Sequence, residues 1–171
     1  NKTALVITQT GGGCRASNYI HLLRKGLKRS GLEQIPVVSV NLSGLEKNPG
    51  FKMTLKLIRQ LAMSAMYGDI LMLLQNQIRP YEVVEGDAAG LTGRWVEKLS
   101  DEFKNGGALN QKAMKAHFEE IVKDFAAVPV RTEQKVRVGI VGEIYVKYAP
   151  LGNNNLEEFL LSEKAEVVVP G

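Results

Sequence analysis

Residues 8–19, TQTGGGCRASNY, decide how this chain is organised. They follow the apolar run ALVI at residues 4–7, which predicts a buried strand. They precede apolar residues at helical spacing, namely Ile20, Leu23 and Leu27. The stretch is therefore a strand–glycine turn–helix junction. Its three consecutive glycines allow positive φ angles and let a ligand come close to backbone amides.

The only cysteine of the chain, Cys14, lies in this junction. The N–H groups and the partial positive charge of a helix N-terminus favour a thiolate, so Cys14 is placed as a reactive thiol or a metal ligand would be. The alternative is that the glycines serve a tight turn and that Cys14 is a small buried apolar residue. The glycines match no standard phosphate loop, because Gly-Lys-Ser/Thr and the G-x-G-x-x-G spacing are both absent.

Composition restricts the class of protein. The chain has 171 residues, of which 44% are hydrophobic and 23% charged, as in a globular protein of one domain. The net charge of +4 comes with no run of basic residues and aromatics, so nucleic-acid binding has no support. One cysteine excludes an internal disulfide and fits the cytoplasm. The longest apolar segment, residues 53–74, contains Lys56, Arg59 and Asp69, which argues against a membrane span.

The order of the elements predicts the fold class. Strands are predicted at residues 3–8, 37–40, 136–141 and 167–169, with helices at residues 15–29, 53–77, 86–104, 109–125 and after residue 155. This order predicts an α/β protein with an open parallel, Rossmann-like sheet of about four strands. Residues 51–127 form a helical insertion within this single domain of residues 1–171. Because the chain begins and ends on strands, we expect it to be a fragment of a longer polypeptide.

The helical insertion is best explained by packing. Its longest helix, at residues 53–77, is apolar on most faces, so we expect it to be buried or to pack against a partner. Trp95 lies in an apolar stripe at steps of four residues, which predicts a core position rather than a cofactor contact. His117 lies beside another such stripe, and we interpret it as a surface or core residue.

Ligands of open parallel sheets bind beyond the carboxyl ends of the strands. The segments at those ends are predicted to be residues 9–14, 41–50, 143–155 and 170–171. Residues 143–155 are predicted to form a loop that is either a polar pocket or a solvent-exposed turn. The helix that follows it has a possible capping box, Asn155 with Glu158. Glu143 is a possible acid or base, although the sequence pairs it with no second catalytic group.

Two motifs together resemble one protein family. They are residues 8–19, quoted above, and residues 141–156, which contain VGEIYVKY and then LGNNNL. The pair resembles the 2-hydroxyacyl-CoA (2-hydroxyglutaryl-CoA) dehydratase family, in particular the D-component-like domain of the acyl-CoA dehydratase activase-related proteins. The likeness covers most of the chain in order and spacing, and the helical middle is its least specific part.

The resemblance implies an iron–sulfur protein. In that family, cysteines bind an iron–sulfur cluster and an ATP-dependent activator protein supplies a low-potential electron for radical elimination of water from a 2-hydroxyacyl-CoA. By this resemblance Cys14 is a metal ligand, and the ligand-binding residues are Gly11, Gly12, Gly13, Arg15, Asn18, Asn153, Asn154 and Asn155. The catalytic residue stays unknown, with Glu143 and Tyr145 as candidates. A 4Fe-4S cluster needs several thiolates, so we expect no complete cluster in this fragment.

The functional expectation follows from the resemblance. It implies a cytoplasmic domain of a lyase (hydro-lyase) or reductase system, inactive in isolation, with an ATP-dependent activator protein or domain and an acyl-CoA substrate as partners. Neither nucleic acid nor membrane is an expected partner. Two alternatives remain open: a non-catalytic binding or scaffold domain that uses the apolar helix at residues 53–77, and a phosphate- or flavin-binding module that uses Gly11–Gly13.

Overall fold

The computed structural model describes residues 3–9, 15–40, 54–106 and 110–169. The chain divides into two compact units, Asn1–Met53 and Thr54–Gly171. Its strands and helices are β1 (Leu5–Thr8), α1 (Tyr19–Arg29), β2 (Val37–Val40), α2 (Leu55–Ile78), α3 (Asp87–Lys104), α4 (Gln111–Ala126), β3 (Arg137–Gly139), α5 (Ile144–Tyr148), α6 (Pro150–Asn153), α7 (Leu156–Ser162) and β4 (Glu166–Val168). The predicted turn at residues 10–14, the loop at residues 41–50 and residues 170–171 lie outside the described residues.

The first unit contains a parallel β-α-β element, as the sequence predicts, but the prediction of a buried first strand is wrong, because the residues of β1 alternate between half-buried and exposed. β1 pairs in parallel with β2, from Leu5 opposite Val37 to Thr8 opposite Val40. The predicted helix at residues 15–29 begins differently, because its first four residues form a 3-10 turn, Arg15–Asn18, before α1. Ile20 of α1 is fully buried.

The second unit begins with three helices that share one core. Its buried residues come from α2, α3 and α4 and are Tyr67, Leu71, Ala88, Leu91, Trp95, Leu99, Ile121 and Phe125. The stripe at steps of four along α3 is therefore confirmed as core, Trp95 included, because a helix packed on one side buries positions three and four residues apart. The indole Nε1–H of Trp95 donates a hydrogen bond to Asp124 at 3.0 Å.

His117 belongs to the core rather than the surface, with 9% exposure. Its Nδ1 lies 2.8 Å from the Tyr67 hydroxyl, and its Nε2 lies 3.2 Å from Glu102 Oε2. Burial, and then the nearby Glu102 carboxylate, raise the pKa of Tyr67 to about 12. Tyr67 is therefore a neutral hydroxyl at physiological pH, and the three side chains connect the three helices by polar contacts inside an apolar core.

α2 is buried along one face only. Met63, Tyr67 and Leu71 are buried, whereas Leu55, Leu61 and other apolar side chains of the helix are exposed. In the described parts of the chain, α2 is the one helix long and apolar enough to cross a membrane, with a mean hydropathy of 1.3 over its best window. A single such helix is weak evidence for a span, because core helices of soluble proteins meet the same criterion.

The second unit ends with another parallel strand pair, β3 and β4, from Arg137 opposite Glu166 to Gly139 opposite Val168. Val167 and Val169 pack with Ile140 against α7. The chain is thus a mixed α/β protein, 61% helical, with short parallel sheets of two strands each. The predicted α/β class with parallel strands is confirmed at this level.

Two predictions for the segment between β3 and β4 are wrong. Residues 143–155 are not a loop, because α5 and α6 occupy most of them. The Glu143 carboxylate accepts a hydrogen bond from the Tyr145 N–H at 3.0 Å and so caps α5. Asn155 and Glu158 form no capping box, since Asn155 makes no side-chain bond to the helix and Glu158 binds Arg79 instead, with two hydrogen bonds of 2.9 Å.

Candidate functional site

The predicted site residues of the first unit fall into two groups. Gly11, Gly12, Gly13 and Cys14 lie outside the described residues. Arg15 and Asn18 are exposed at the two ends of the 3-10 turn that leads into α1. Asn18 stands at the N-cap of α1 but forms no side-chain cap bond. Both side chains are therefore on the surface of the first unit, at the beginning of its helix.

Gln9 is a polar residue of this region that sequence reasoning did not single out. It directly follows β1, and its exposure is 9%. Its Nε2 donates to the Ser17 carbonyl at 3.0 Å, which fixes the orientation of the amide. Its Oε1 is buried and has no hydrogen-bond partner, the one such side-chain atom in the described ranges. A buried acceptor without a donor costs about 1–3 kcal/mol. A ligand that donates a hydrogen bond to Gln9 Oε1 would therefore be stabilised here.

The two catalytic candidates of the second unit are neighbours at the beginning of α5. Glu143 is half-buried, and its Oε2 is used to cap the helix at the Tyr145 N–H. The Tyr145 ring is 45% exposed and lies against Gly152 of α6. The pair combines a carboxylate and an exposed phenol on one short helix. The role of the carboxylate at the cap is structural, and the tyrosine side chain is partly exposed.

The three asparagines at residues 153–155 divide between two roles. Asn153 has a structural role, because its Nδ2 donates to the Val146 carbonyl at 3.0 Å and its Oδ1 accepts from the Leu156 N–H at 3.2 Å. Asn154 and Asn155 both have left-handed backbones, with φ values of 56° and 55°. Asparagine adopts this conformation more readily than other non-glycine residues. Their side chains are exposed and make no hydrogen bond to any described residue.

A charged cluster joins the end of α2 to α7. Arg79 holds both carboxylate oxygens of Glu158, and this hydrogen bonding lowers the pKa of Glu158. The neighbouring Glu157 is half-buried, and burial raises its pKa. The Arg79–Glu158 pair joins α7 to the end of α2. Its contribution to stability is small because Glu158 is 62% exposed.

The described part of the chain contains no cluster of side chains suited to a metal ion. Within residues 3–9, 15–40, 54–106 and 110–169, no group of three or more His, Cys, Asp or Glu side chains is arranged to hold a metal ion. The hypothesis of an iron–sulfur ligand therefore depends on Cys14. One thiolate fills one ligand position of a cluster and does not complete it.

Comparisons with protein-family models, with curated proteins and with solved structures find no match to this chain. Its function is therefore inferred from its own residues. The functional inference depends on Gln9 and the turn before α1 in the first unit. In the second unit it depends on Tyr145, Asn154 and Asn155.

Gly152→Ala is expected to displace the Tyr145 ring. A Cβ at residue 152 would lie 2.7 Å from Tyr145 Cε1 and 3.0 Å from its carbonyl oxygen, closer than ordinary van der Waals contact. We expect a loss of about 1 kcal/mol in unfolding free energy, the low end for overpacking, because the exposed ring can move. Urea unfolding and the NMR contacts between residues 145 and 152 measure both effects.

A matched control for this substitution is Gly93→Ala in α3, where an added Cβ meets nothing within 4 Å. It should stabilise the protein by up to about 1 kcal/mol through helix propensity. Unchanged contacts of Tyr145 in the Gly152→Ala variant would show that the ring does not pack on α6.

Proposed function

We propose that the chain is a domain of a 2-hydroxyacyl-CoA dehydratase-like iron–sulfur protein that works in the cytoplasm with an ATP-dependent activator. The observation that carries this proposal is Gln9, a buried amide whose Oε1 has no donor in the described part of the chain. It lies at the carboxyl end of a parallel strand, where α/β proteins bind ligands. It also belongs to the first of the two motifs that resemble the dehydratase family.

The second motif has an equivalent position in its own unit. Residues 141–156 begin two residues after Gly139, the last residue of β3. They present the exposed side chains of Tyr145, Asn154 and Asn155. Phenol and amide groups are suitable hydrogen-bond partners for the polar parts of an acyl-CoA substrate. This supports the second motif as the other ligand-binding segment of the proposal.

The proposal includes an open parallel, Rossmann-like sheet of about four strands. Each strand pair is parallel and only two strands wide. In open parallel sheets, ligands bind beyond the carboxyl ends of the strands, which is where each motif lies in its own unit. The proposal for the fold and the proposal for the site therefore depend on each other.

Within this proposal, Cys14 contributes one thiolate ligand to an iron–sulfur cluster. Because the chain has no other cysteine, the remaining ligands must come from other polypeptide segments or from a partner. We derive no electron-transfer step from a cluster that these residues alone do not complete.

The iron and sulfide content of the anaerobically purified protein tests this role. We expect the protein with its full complement of partners to hold iron and sulfide, and we expect Cys14→Ala to lose most of both. Ser17→Ala, at a neighbouring position with another small polar side chain, serves as the control and should keep the cluster. Equal iron in the Cys14→Ala variant, or no iron in either protein, would overturn the role of Cys14.

A binding or scaffold domain is the second candidate function. The observation that favours it is the exposure of large apolar side chains in one stretch of the second unit: Leu151 is 87% exposed, Phe159 57% and Ile144 55%. Exposed apolar patches are typical of protein–protein contacts. If Leu151→Ser with Phe159→Ser abolishes capture of the activator protein while Cys14→Ala leaves capture and function unchanged, the domain is a docking module.

A further inference from the structure

A groove lies between α3 and α4 in the second unit, away from both motifs. It consists of two adjoining depressions of about 300 and 420 Å³. Both are lined by Leu91, Arg94 and Asp124, so they form one continuous groove. Volumes of a few hundred Å³ are typical of sites for small molecules. The groove is therefore large enough to hold a small ligand.

Most charged groups of the first depression already have partners. Lys98 Nζ lies 2.9 Å from Glu120 Oε2 and 4.2 Å from the centre of the Trp95 ring. The Asp124 carboxylate accepts a hydrogen bond from Trp95 Nε1. Lys98 and Glu120 therefore neutralise each other, and the Asp124 carboxylate is engaged by the Trp95 indole.

Two cations of the same depression are left. Arg94 and Lys123 both line it, and neither forms an ion pair or side-chain hydrogen bond within the described ranges. The Arg94 guanidinium lies along α3 near Gly90. A Cβ added at residue 90 would be 3.7 Å from Arg94 Nη1. Asp87, at the far end of the groove, is in the first turn of α3, where the helix dipole favours a carboxylate. Three cations and two carboxylates line the first depression, so its formal charge is +1, and Asp87 adds a negative charge at the far end of the groove.

We propose that the α3–α4 groove binds a small organic anion. Its carboxylate or phosphate group lies between Arg94 and Lys123, and its apolar part lies against Leu91 and Val128 along the groove. Arginine is the preferred partner of such anions because its planar guanidinium donates two parallel hydrogen bonds. This site is independent of the two motifs and of Cys14.

Trp95 reports directly on this site, because it is the only tryptophan of the chain and lines the groove. Titration of the whole protein with hexanoate should give a saturable change in Trp95 emission, whereas hexanol, which lacks the charge, should give none. Arg94→Gln should weaken hexanoate binding about tenfold to a hundredfold, as expected for the loss of a charge-assisted hydrogen bond. Lys104→Gln, at a lysine paired with Asp101 at the end of α3, should leave binding unchanged.

Backbone NMR shifts of Leu91 and Arg94 in the same titration detect binding even when Trp95 emission does not change. Inorganic phosphate, added as a competitor, distinguishes the two anion sources: displacement of hexanoate indicates a phosphate ligand, and no displacement indicates a carboxylate ligand. The proposal is overturned if hexanoate changes neither emission nor shifts, if hexanol binds equally well, or if Arg94→Gln binds as the unaltered protein does.

Discussion

Phe125→Ala is expected to lower the free energy of unfolding of the second unit by about 3–5 kcal/mol. Phe125 is 1% exposed and packs in the core that α2, α3 and α4 share. Removal of the ring takes away its burial and leaves a cavity that three helices cannot close without losing other contacts. Urea unfolding followed by circular dichroism measures the change, because these helices supply most of the helical signal.

The matched control is Phe159→Ala, the same substitution at a side chain that is 57% exposed. It should change the unfolding free energy by no more than about 0.5 kcal/mol. Similar losses at the two positions would contradict the core described here, since they would place residue 159 in a buried environment as well.

Glu82→Ala is expected to cost about 1.5–3 kcal/mol, the value of hydrogen bonds to a charged group. Glu82 is 8% exposed, and its two carboxylate oxygens accept from the N–H groups of Gly86 at 2.7 Å and Ala88 at 2.8 Å. These N–H groups begin α3 and have no partner within the helix. The carboxylate also lies near the positive end of the helix dipole. Thermal and urea unfolding measure the loss.

Glu85→Ala is the control, because Glu85 is exposed in the same turn and makes no side-chain contact with the described residues. We expect it to change stability by no more than about 0.5 kcal/mol. Glu82→Gln should retain part of the stability, since its amide oxygen still accepts one hydrogen bond. If all three variants unfolded alike, Glu82 would not be the cap of α3.

The sequence predicts the elements whose signal is local. Apolar residues at steps of four, such as Leu91 and Leu99, identify α3 and its buried face correctly, whereas the exposed apolar residues of α2 show that the same signal does not predict burial there. The strand at residues 37–40 is correct to the residue, and its parallel pairing follows from the helix that precedes it. In these segments the signal comes from residues close together in the chain.

The sequence does not predict interactions between distant residues. Glu158 fits a local capping box, but Arg79, 79 positions away in the chain, takes its carboxylate. Gln9 lies in the first motif, but its unpartnered oxygen becomes visible only when β1 and the turn before α1 are placed together. Residues 143–155 contain turn-forming asparagines, yet the Glu143 cap and Pro150 at the first position of α6 stabilise short helices there.

We propose that the parallel strands belong to one open sheet of about four strands, and the outer edges of the two strand pairs test this proposal. Leu5 donates its N–H to the Pro36 carbonyl, next to β2, and Gln9 donates to the Val40 carbonyl, so the N–H groups of Val6 and Thr8 point to the other side of β1. By the same alternation, the N–H groups of Arg137 and Gly139 point away from β4, because Ile140 donates to it.

Hydrogen exchange of these four amides, resolved by NMR, is the most direct test. If these strand edges are paired within a larger sheet, the amides of Val6, Thr8, Arg137 and Gly139 should exchange as slowly as that of Ile140, which is already bonded within a sheet. Fast exchange at all four, with slow exchange at Ile140, would show two separate strand pairs and would contradict the proposed four-stranded sheet.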